Sequence, residues 1–179
     1  PDPHHINLLF TGTLSQENGL FDDIEWTKKL HKLDERVRLR IVGYCALRRE
    51  LENLKEAIRE LDYIELNGGD HLVPHQEIIE AIEKPDFGFV LKHNNKGTNN
   101  EKLLTRIFEY SANQLPILLT DNPHWLSYCE QFNAAIAVSD SSHPSQILAN
   151  MKAGGFYDQG DTNVSLWSTE EAKLLALLK

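Results

Sequence analysis

Two glutamates eight positions apart are the residues whose type and spacing could do chemistry. Glu101 and Glu109 lie in the segment EKLLTRIFEY, whose pattern predicts a helix. Two helical turns would separate them by roughly 12 Å along the axis, too far for both carboxylates to act on one atom. They could instead hold two ends of one extended ligand, because a carboxylate accepts hydrogen bonds from paired hydroxyls. On spacing alone, two solvated surface glutamates are the simpler interpretation.

A glycine near the end of the first apolar run is a second candidate. Gly12 stands in the turn TGTLSQENG, where the lack of a Cβ would let the backbone approach a phosphate. The turn has neither the GxGxxG nor the P-loop pattern, which disfavours a standard dinucleotide or ATP site. Taken alone, Gly12 is more simply a tight-turn residue. The polar loop Lys92–Asn100 leads to a helix start whose N–H groups and dipole could also bind phosphate.

Other catalytic and metal signals are absent from the sequence. No GxSxG segment marks a nucleophile, so a covalent hydrolase is unsupported. The eight histidines show no HExxH-type spacing, and this argues against metal ligands. Cys45 and Cys129 lie far apart and form no metal or redox motif. We interpret both as reduced thiols of a cytoplasmic protein.

Six short apolar runs alternate with amphipathic stretches, and these elements must position the candidates. Strands are predicted at Ile6–Thr11, Arg36–Gly43, Leu61–Leu66, Asp86–Leu91, Pro116–Thr120 and Ala134–Val138. Helices are predicted at Gly19–Leu33, Ala46–Glu60, His75–Glu83, Glu101–Asn113, Asn122–Phe132 and Ser145–Met151. This alternation predicts an α/β, Rossmann-like, three-layer fold, a parallel sheet flanked by helices. Ligands of such sheets bind outside the carboxyl ends of the strands.

Length and charge narrow the class of protein. The 179 residues suit one domain with a sizeable core. We assign residues 1–5 to a tag or linker remnant, residues 6–153 to the Rossmann-like domain, and residues 154–179 to its connecting loop and C-terminal helix. The chain lacks an initial Met, which predicts a piece of a longer protein. A net charge of -9 argues against a nucleic-acid partner. No apolar run approaches the roughly 20 residues that a transmembrane helix needs.

The order of these segments resembles one known family. Its most specific block is TRIFEY at 105–110, followed by LPI at 115–117 and TDN at 120–122. From about Ile6 to Leu178, the chain is similar to the carboxy-terminal, nucleotide-sugar-binding domain of retaining GT-B-fold glycosyltransferases of the group 1 or family 4 type. The resemblance implies that this chain is one half of a GT-B fold.

The resemblance also implies roles for single residues. Glu101 and Glu109 take the places of the family's E-x7-E motif: Glu101 would be the catalytic residue near the donor sugar, and Glu109 would hold the ribose hydroxyls. Gly12 falls where the first-strand loop meets the diphosphate. The other donor-binding positions that the resemblance implies are Thr13, Asn18, Val73, Pro74, Leu104, Thr105 and Arg106.

Two pairs among these positions have more definite implied roles. Val73 and Pro74 fall in the segment whose backbone receives the nucleotide base. Leu104 and Thr105 would bring backbone and hydroxyl donors to the diphosphate. Both implications follow from the resemblance and not from the spacing of the residues.

One departure from the family pattern concerns charge. Thr13 and Asn18 stand where the family carries an Arg and a Lys that neutralise the diphosphate. The loss of each charge-assisted contact could cost about 1.5–3 kcal/mol of binding free energy. Lys92, Lys96 or Lys102, in or beside the polar loop, could substitute.

For the full-length protein, the resemblance implies transfer of a sugar from a nucleotide diphosphate sugar to an acceptor, with retention and without a metal or other cofactor. It would be a hexosyltransferase of glycan or polysaccharide biosynthesis, cytoplasmic or peripheral to the membrane. Its partners would be the donor and an amino-terminal, acceptor-binding domain outside this chain, so the fragment alone should be inactive. Thr13 and Asn18 favour a second interpretation, a catalytically degenerate GT-B-like binding module. A sugar-nucleotide epimerase is a third, weaker alternative, because its usual acid and base residues do not stand out.

Overall fold

The computed structural model describes residues 4–92 and 102–160. Six strands are present in this part of the chain: β1 (Ile6–Thr13), β2 (Val37–Tyr44), β3 (Ile64–Gly69), β4 (Phe87–Val90), β5 (Ile117–Thr120) and β6 (Ala135–Val138). They form one sheet in the order β3-β2-β1-β4-β5-β6. Every neighbouring pair is parallel. The reversal of strand order beside β1 creates the switch point at which open parallel sheets bind their ligands.

Helices connect the strands and cover both faces of the sheet. Those in the described residues are α1 (Leu20–Leu33), α2 (Arg48–Ile58), α3 (His75–Ile82), α4 (Thr105–Ala112), α5 (Pro123–Glu130) and α6 (Pro144–Ala153). Along β1, Leu8 and Phe10 pack in one apolar cluster with α1 and α6. The intervening Leu9 packs in a second cluster with α3, α4 and α5. Because successive strand residues point to opposite faces, the sheet is the middle of three layers. The α/β, Rossmann-like prediction is confirmed.

The third strand was predicted three residues too early at both ends. The third strand begins at Ile64 and not at Leu61, because Ile64 N–H bonds to the Leu61 carbonyl in a turn that follows α2. Its last residues, Asn67–Gly69, pair with Val42–Tyr44 of β2 instead of forming a turn. Pairing with a neighbouring strand therefore decides where β3 ends.

The fourth helix begins at Thr105, since the preceding Leu104 is extended (φ −75°, ψ 141°). Residues 102–104 are not helical, so the two-turn separation expected for Glu101 and Glu109 does not apply. Glu101 itself lies outside the described residues, as does the C-terminal helix expected within 154–179. Among the described residues, no helix has both the length and the hydrophobicity needed to cross a membrane.

Candidate functional site

A cleft of about 290 Å³ opens at the carboxyl end of β1, at the switch point of the sheet. The end of β1 and the loop that follows it form one wall, and the start of α4 forms another. The described residues that line the cleft are Thr11, Gly12, Thr13, Asn18, Ile78, Leu104, Thr105, Arg106 and Glu109. The fold thus brings together seven of the ten predicted site residues, which are Gly12, Thr13, Asn18, Leu104, Thr105, Arg106 and Glu109.

Two glycines on neighbouring strands shape this end of the sheet. Gly12 has a φ of +115°, and a Cβ on it would meet no atom within 4 Å, so the space in front of it is open. Its partner in β2 is Gly43. A Cβ at Gly43 would lie 1.8 Å from the Gly12 carbonyl oxygen, so only glycine fits there. The sequence analysis missed Gly43, although FTGT and IVGY end two neighbouring strands in the same way.

The loop after β1 is braced by its own polar groups. Asn18 Nδ2 donates a hydrogen bond of 3.1 Å to the Thr13 carbonyl. The Asn18 N–H donates to Ser15 Oγ at 3.2 Å. Asn18 therefore shapes the loop and contributes no charge to the cleft, and neither does the exposed Thr13.

The opposite wall presents the start of α4. Leu104 is the cap residue, and no side-chain cap bonds to the first turn. The Ile107 N–H bonds to the Leu104 carbonyl. The first N–H groups of a helix have no partners within the helix, and they carry the positive end of its dipole. Since Leu104 and Thr105 line the cleft, this helix start is suited to an anion there.

Among the described residues that line the cleft, Arg106 is the one cation. Only 8% of it is exposed. Its Nη2 donates to the Asn18 carbonyl at 3.2 Å, and its guanidinium carbon lies 4.0 Å from the centre of the Phe10 ring. Its buried Nη1 has no hydrogen-bond partner among the described residues.

A buried carboxyl group lies near this guanidinium. Asp23 of α1 is fully buried, and its carboxyl group faces the backbone N–H of Leu91 and the charge of Arg106. Burial raises the pKa of Asp23 well above the usual carboxyl value, although the charge of Arg106 opposes the rise. Desolvation therefore disfavours the charged form of Asp23, and with it a full ion pair with Arg106. Nothing in the sequence pattern singled out Asp23.

Tyr110 holds α4 against β1 from beneath the cleft. Its hydroxyl accepts hydrogen bonds from the Thr11 N–H at 3.1 Å and from Thr11 Oγ1 at 3.2 Å. Its ring packs where Gly88 has no side chain: a Cβ there would lie 2.4 Å from the ring. Burial raises the pKa of Tyr110 to about 12. The sequence analysis noted Tyr110 within the TRIFEY block but gave it no role.

The segment around TDN fixes two residues near the cleft. Thr120 Oγ1 accepts the Lys92 N–H at 2.7 Å. The Asn122 side chain accepts from the N–H groups of His124 and Trp125, so it caps α5. Trp125 Nε1 then donates to the Lys102 carbonyl at 3.2 Å, just before α4. This block of the sequence therefore has a positional role.

Two predicted site residues and two of the candidate lysines do not line the cleft. Val73 and Pro74 lie between β3 and α3; Pro74 is the cap residue of α3, which contributes Ile78 to the cleft. Lys92 and Lys102 do not line it. The third site residue, Glu101, and the third lysine, Lys96, lie outside the described residues. Within the ranges 4–92 and 102–160, no group of three His, Cys, Asp or Glu side chains is placed to hold a metal ion.

Comparison by sequence finds no relatives. No protein-family model matches the chain. No curated protein matches it either.

Comparison by structure finds glycosyltransferases. A glycosyltransferase of avilamycin A biosynthesis superposes with a TM-score of 0.65 at 13% identity, over 97% of this chain and 53% of its own. Anabaena HepE in complex with UDP gives 0.63 at 12% identity, over 84% and 39%. The C-terminal domain of a group 1 glycosyltransferase from Francisella tularensis gives 0.59 at 16% identity, over 83% and 74%.

The chain spans about half or less of two of these three glycosyltransferase chains. The chain covers a larger share, 74%, of the structure that consists of a C-terminal domain alone. The TM-scores of these three matches establish a common fold, and their low identities establish nothing beyond it. The chain has the Rossmann-like α/β fold of these glycosyltransferase structures.

Proposed function

We propose that this chain is the carboxy-terminal, donor-binding domain of a retaining group 1 (family 4) glycosyltransferase. The observation that carries the proposal is the cleft at the switch point. It combines an open glycine backbone at Gly12, the uncapped start of α4, and the Glu109 carboxylate. These are the groups that a diphosphate and a pair of ribose hydroxyls require.

The geometry of α4 supports this assignment. Thr105 begins the helix and Glu109 follows it by four residues, a rise of about 6 Å. A phosphate at the helix start and hydroxyls one turn along therefore suit one nucleotide lying on the first turn. Leu104 and Thr105 would donate to the diphosphate, and Val73 and Pro74 would receive the base. Amides and cations fixed in advance would stabilise the charge on the leaving group.

The finer parts of the proposal concern the full-length protein. We expect a hexosyl transfer with retention that needs no metal, in glycan or polysaccharide biosynthesis, in the cytoplasm or at the membrane periphery. Glu101 would be the catalytic residue near the donor sugar. Acceptor binding would require an amino-terminal domain, so this fragment alone should bind the donor without turnover.

A catalytically degenerate binding module is the second candidate. The observation that favours it is the loop after β1, where Thr13 and Asn18 bring no charge and the Asn18 amide is engaged by the loop itself. Such a module would keep the fold and lose transfer. Assay of the full-length protein for sugar transfer separates the two functions, since only the enzyme releases the nucleotide diphosphate.

Donor binding is tested by thermal unfolding of this chain with UDP, GDP, ADP and their common sugar conjugates, without metal. UDP comes first because the similar HepE structure contains it. A ligand at 100 times its Kd stabilises by about 2.7 kcal/mol. We expect one nucleotide to raise Tm, and Glu109→Ala to reduce the rise. A folded sample that responds to no nucleotide would contradict donor binding by this chain.

A further inference from the structure

The cleft lacks the two cations that the resemblance leads one to expect at positions 13 and 18, yet a buried cation lines it. We propose that Arg106 is the charge partner of the donor's diphosphate, an inference that rests on the proposed function. The side chain comes from α4, whereas the expected cations would have come from the loop after β1. The charge therefore reaches the same cleft from the opposite wall.

The first support is the fixed position of the guanidinium. One donor, Nη2, is bonded to the Asn18 carbonyl, and the face of the group rests on the Phe10 ring. An Arg side chain held in this way loses little further freedom when a ligand binds. Its fork carries five N–H donors, and Nη1 has no partner among the described residues. A phosphate oxygen would satisfy an otherwise costly buried donor.

The second support is the balance of charge around Arg106. From α1, Asp23 is the buried acid next to it and Asp22 is close to Asp23. From α4 itself, the neutral Tyr110 hydroxyl lies near Arg106, and the Glu109 carboxylate lines the same cleft. Because desolvation disfavours the charged form of Asp23, the guanidinium, whose Nη1 has no partner among the described residues, keeps the capacity to pair with an anion in the cleft. Its own burial weakens solvent screening of that charge.

The third support is the position of the two described lysines that could replace the missing cations. Lys92 and Lys102 do not line the cleft. The described contacts fix them through their backbones, on Thr120 and Trp125. Arg106 is held by its side chain at the cleft wall, where a diphosphate would meet it.

The experiment measures Kd by calorimetry for three pairs of probes: UDP and UMP, GDP and GMP, ADP and AMP. The readout is the ratio of diphosphate to monophosphate affinity for the pair that wild type binds. Arg106→Gln should raise the Kd of the diphosphate by about tenfold or more, which is the effect of losing one charge-assisted hydrogen bond. The Kd of the monophosphate should change less. Arg106→Lys should recover part of the ratio.

Folding is controlled with two further variants. The double variant Asp23→Asn/Arg106→Gln removes the buried acid together with the buried cation, so it should fold and still lack the diphosphate preference. Arg38→Gln makes the same chemical change at an exposed position of β2 outside the cleft, and should bind both probes as wild type does.

The outcomes separate this inference from the proposed function. If wild type binds no nucleotide, the proposed function fails and this inference fails with it. If wild type binds a diphosphate and the folded double variant keeps the wild-type ratio, only the role of Arg106 is overturned. An equal loss of both probes would also overturn it, because a structural role alone weakens every ligand alike. Loss of the ratio in Lys102→Ala, with Arg106→Gln unchanged, would assign the charge to the lysine.

Discussion

The two ends of the sheet carry cavities of very different size and chemistry. The cavity beside the first halves of β1, β2 and β3 has a volume of about 730 Å³, against about 290 Å³ for the cleft at the carboxyl end. The larger one is lined by strand backbone and by charges of both signs, including Arg38, Arg40, Asp62, Glu65 and Lys84. The smaller one combines a glycine, a helix start, one carboxylate and one buried guanidinium.

The difference follows from the direction of the strands. In a parallel sheet the connecting helices begin at the carboxyl end, so the N–H groups and positive dipole ends gather there. Helix C-termini gather at the amino end, which is therefore unfavourable for an anion. The volume of a cavity is thus a poorer guide to an anion site than the polarity of the backbone around it.

The largest effect should come from filling the space between the ends of β1 and β2. Gly43→Ala places a Cβ 1.8 Å from the Gly12 carbonyl oxygen. We expect a loss of roughly 3 kcal/mol of unfolding free energy, about 6–12 °C in Tm for a chain of this size. Binding of nucleotide below the new Tm should fall as well, because the Gly12 backbone must move. Calorimetric unfolding and titration measure both.

Gly155→Ala is the matched control for this change. Gly155 has a φ of +85° and open space around its Cβ position, so the variant reports backbone strain without a clash. It should cost about 1 kcal/mol. Equal losses for the two variants would show that the close approach at Gly43 is unimportant.

The next effect compares one carboxylate at each end of the sheet. Glu109→Ala should raise the Kd of the nucleotide by about 10-fold to 100-fold, because it removes hydrogen bonds to a charged group. Glu65→Ala removes the same group from the larger cavity and should leave the Kd unchanged. Titration of both variants with the same nucleotide decides between the cavities. A loss confined to Glu65→Ala would move the site to the amino end.

A smaller effect is expected from the hydroxyl beneath the cleft. Tyr110→Phe leaves the Thr11 N–H buried without a partner. This should cost about 1–2 kcal/mol of unfolding free energy and lower the nucleotide affinity a few-fold. Tyr157→Phe is the control, because its hydroxyl donates to the Leu115 carbonyl at 2.8 Å and neither residue lines the cleft. It should lose stability without losing affinity. Chemical unfolding and titration separate the two quantities.

The sequence predicts the architecture better than it predicts the site. Apolar runs such as INLLFT are long enough to be buried on both faces, so six strands and six helices were correctly expected in order. The third strand was predicted to end at Leu66, yet Gly68 and Gly69 pair with β2. Such pairing depends on a neighbouring strand and not on local preference.

The residues that line the cleft were predicted in part, through the resemblance. Gly12 and Glu109 stood out by motif, but the bond from Arg106 to Asn18 joins residues 88 positions apart, and that from Thr11 to Tyr110 joins residues 99 apart. Contacts between residues so far apart in the chain produce no periodic pattern in the sequence. Asp23 was missed for a related reason: an acid in the first turn of a helix is typical of a solvated face, whereas the groups near the buried Asp23, Leu91 and Arg106, are distant in the sequence.

The smallest effect concerns the amino end of the sheet, where ion pairs hold helices together. Asp34, just after α1, accepts from Arg36 Nη2 and from Lys152 Nζ of α6, both at 2.8 Å. Hydrogen bonds from Arg36 and Lys152 lower the pKa of Asp34 below the ordinary carboxyl value. Its contribution to stability is therefore complete above about pH 4, the unfolded value, and is lost as the pH falls through the folded value.

Asp34→Asn should consequently cost about 1 kcal/mol at pH 7 and progressively less at acid pH, as expected for ion pairs near the surface. Nucleotide affinity at pH 7 should be unaffected, because this cluster lies at the end of the sheet opposite the cleft. Unfolding curves for both proteins between pH 2 and pH 7 measure the difference. A cost independent of pH would mean that Asp34 acts through packing. A change in affinity would mean that the two ends of the sheet are coupled, which the rigid three-layer arrangement argues against.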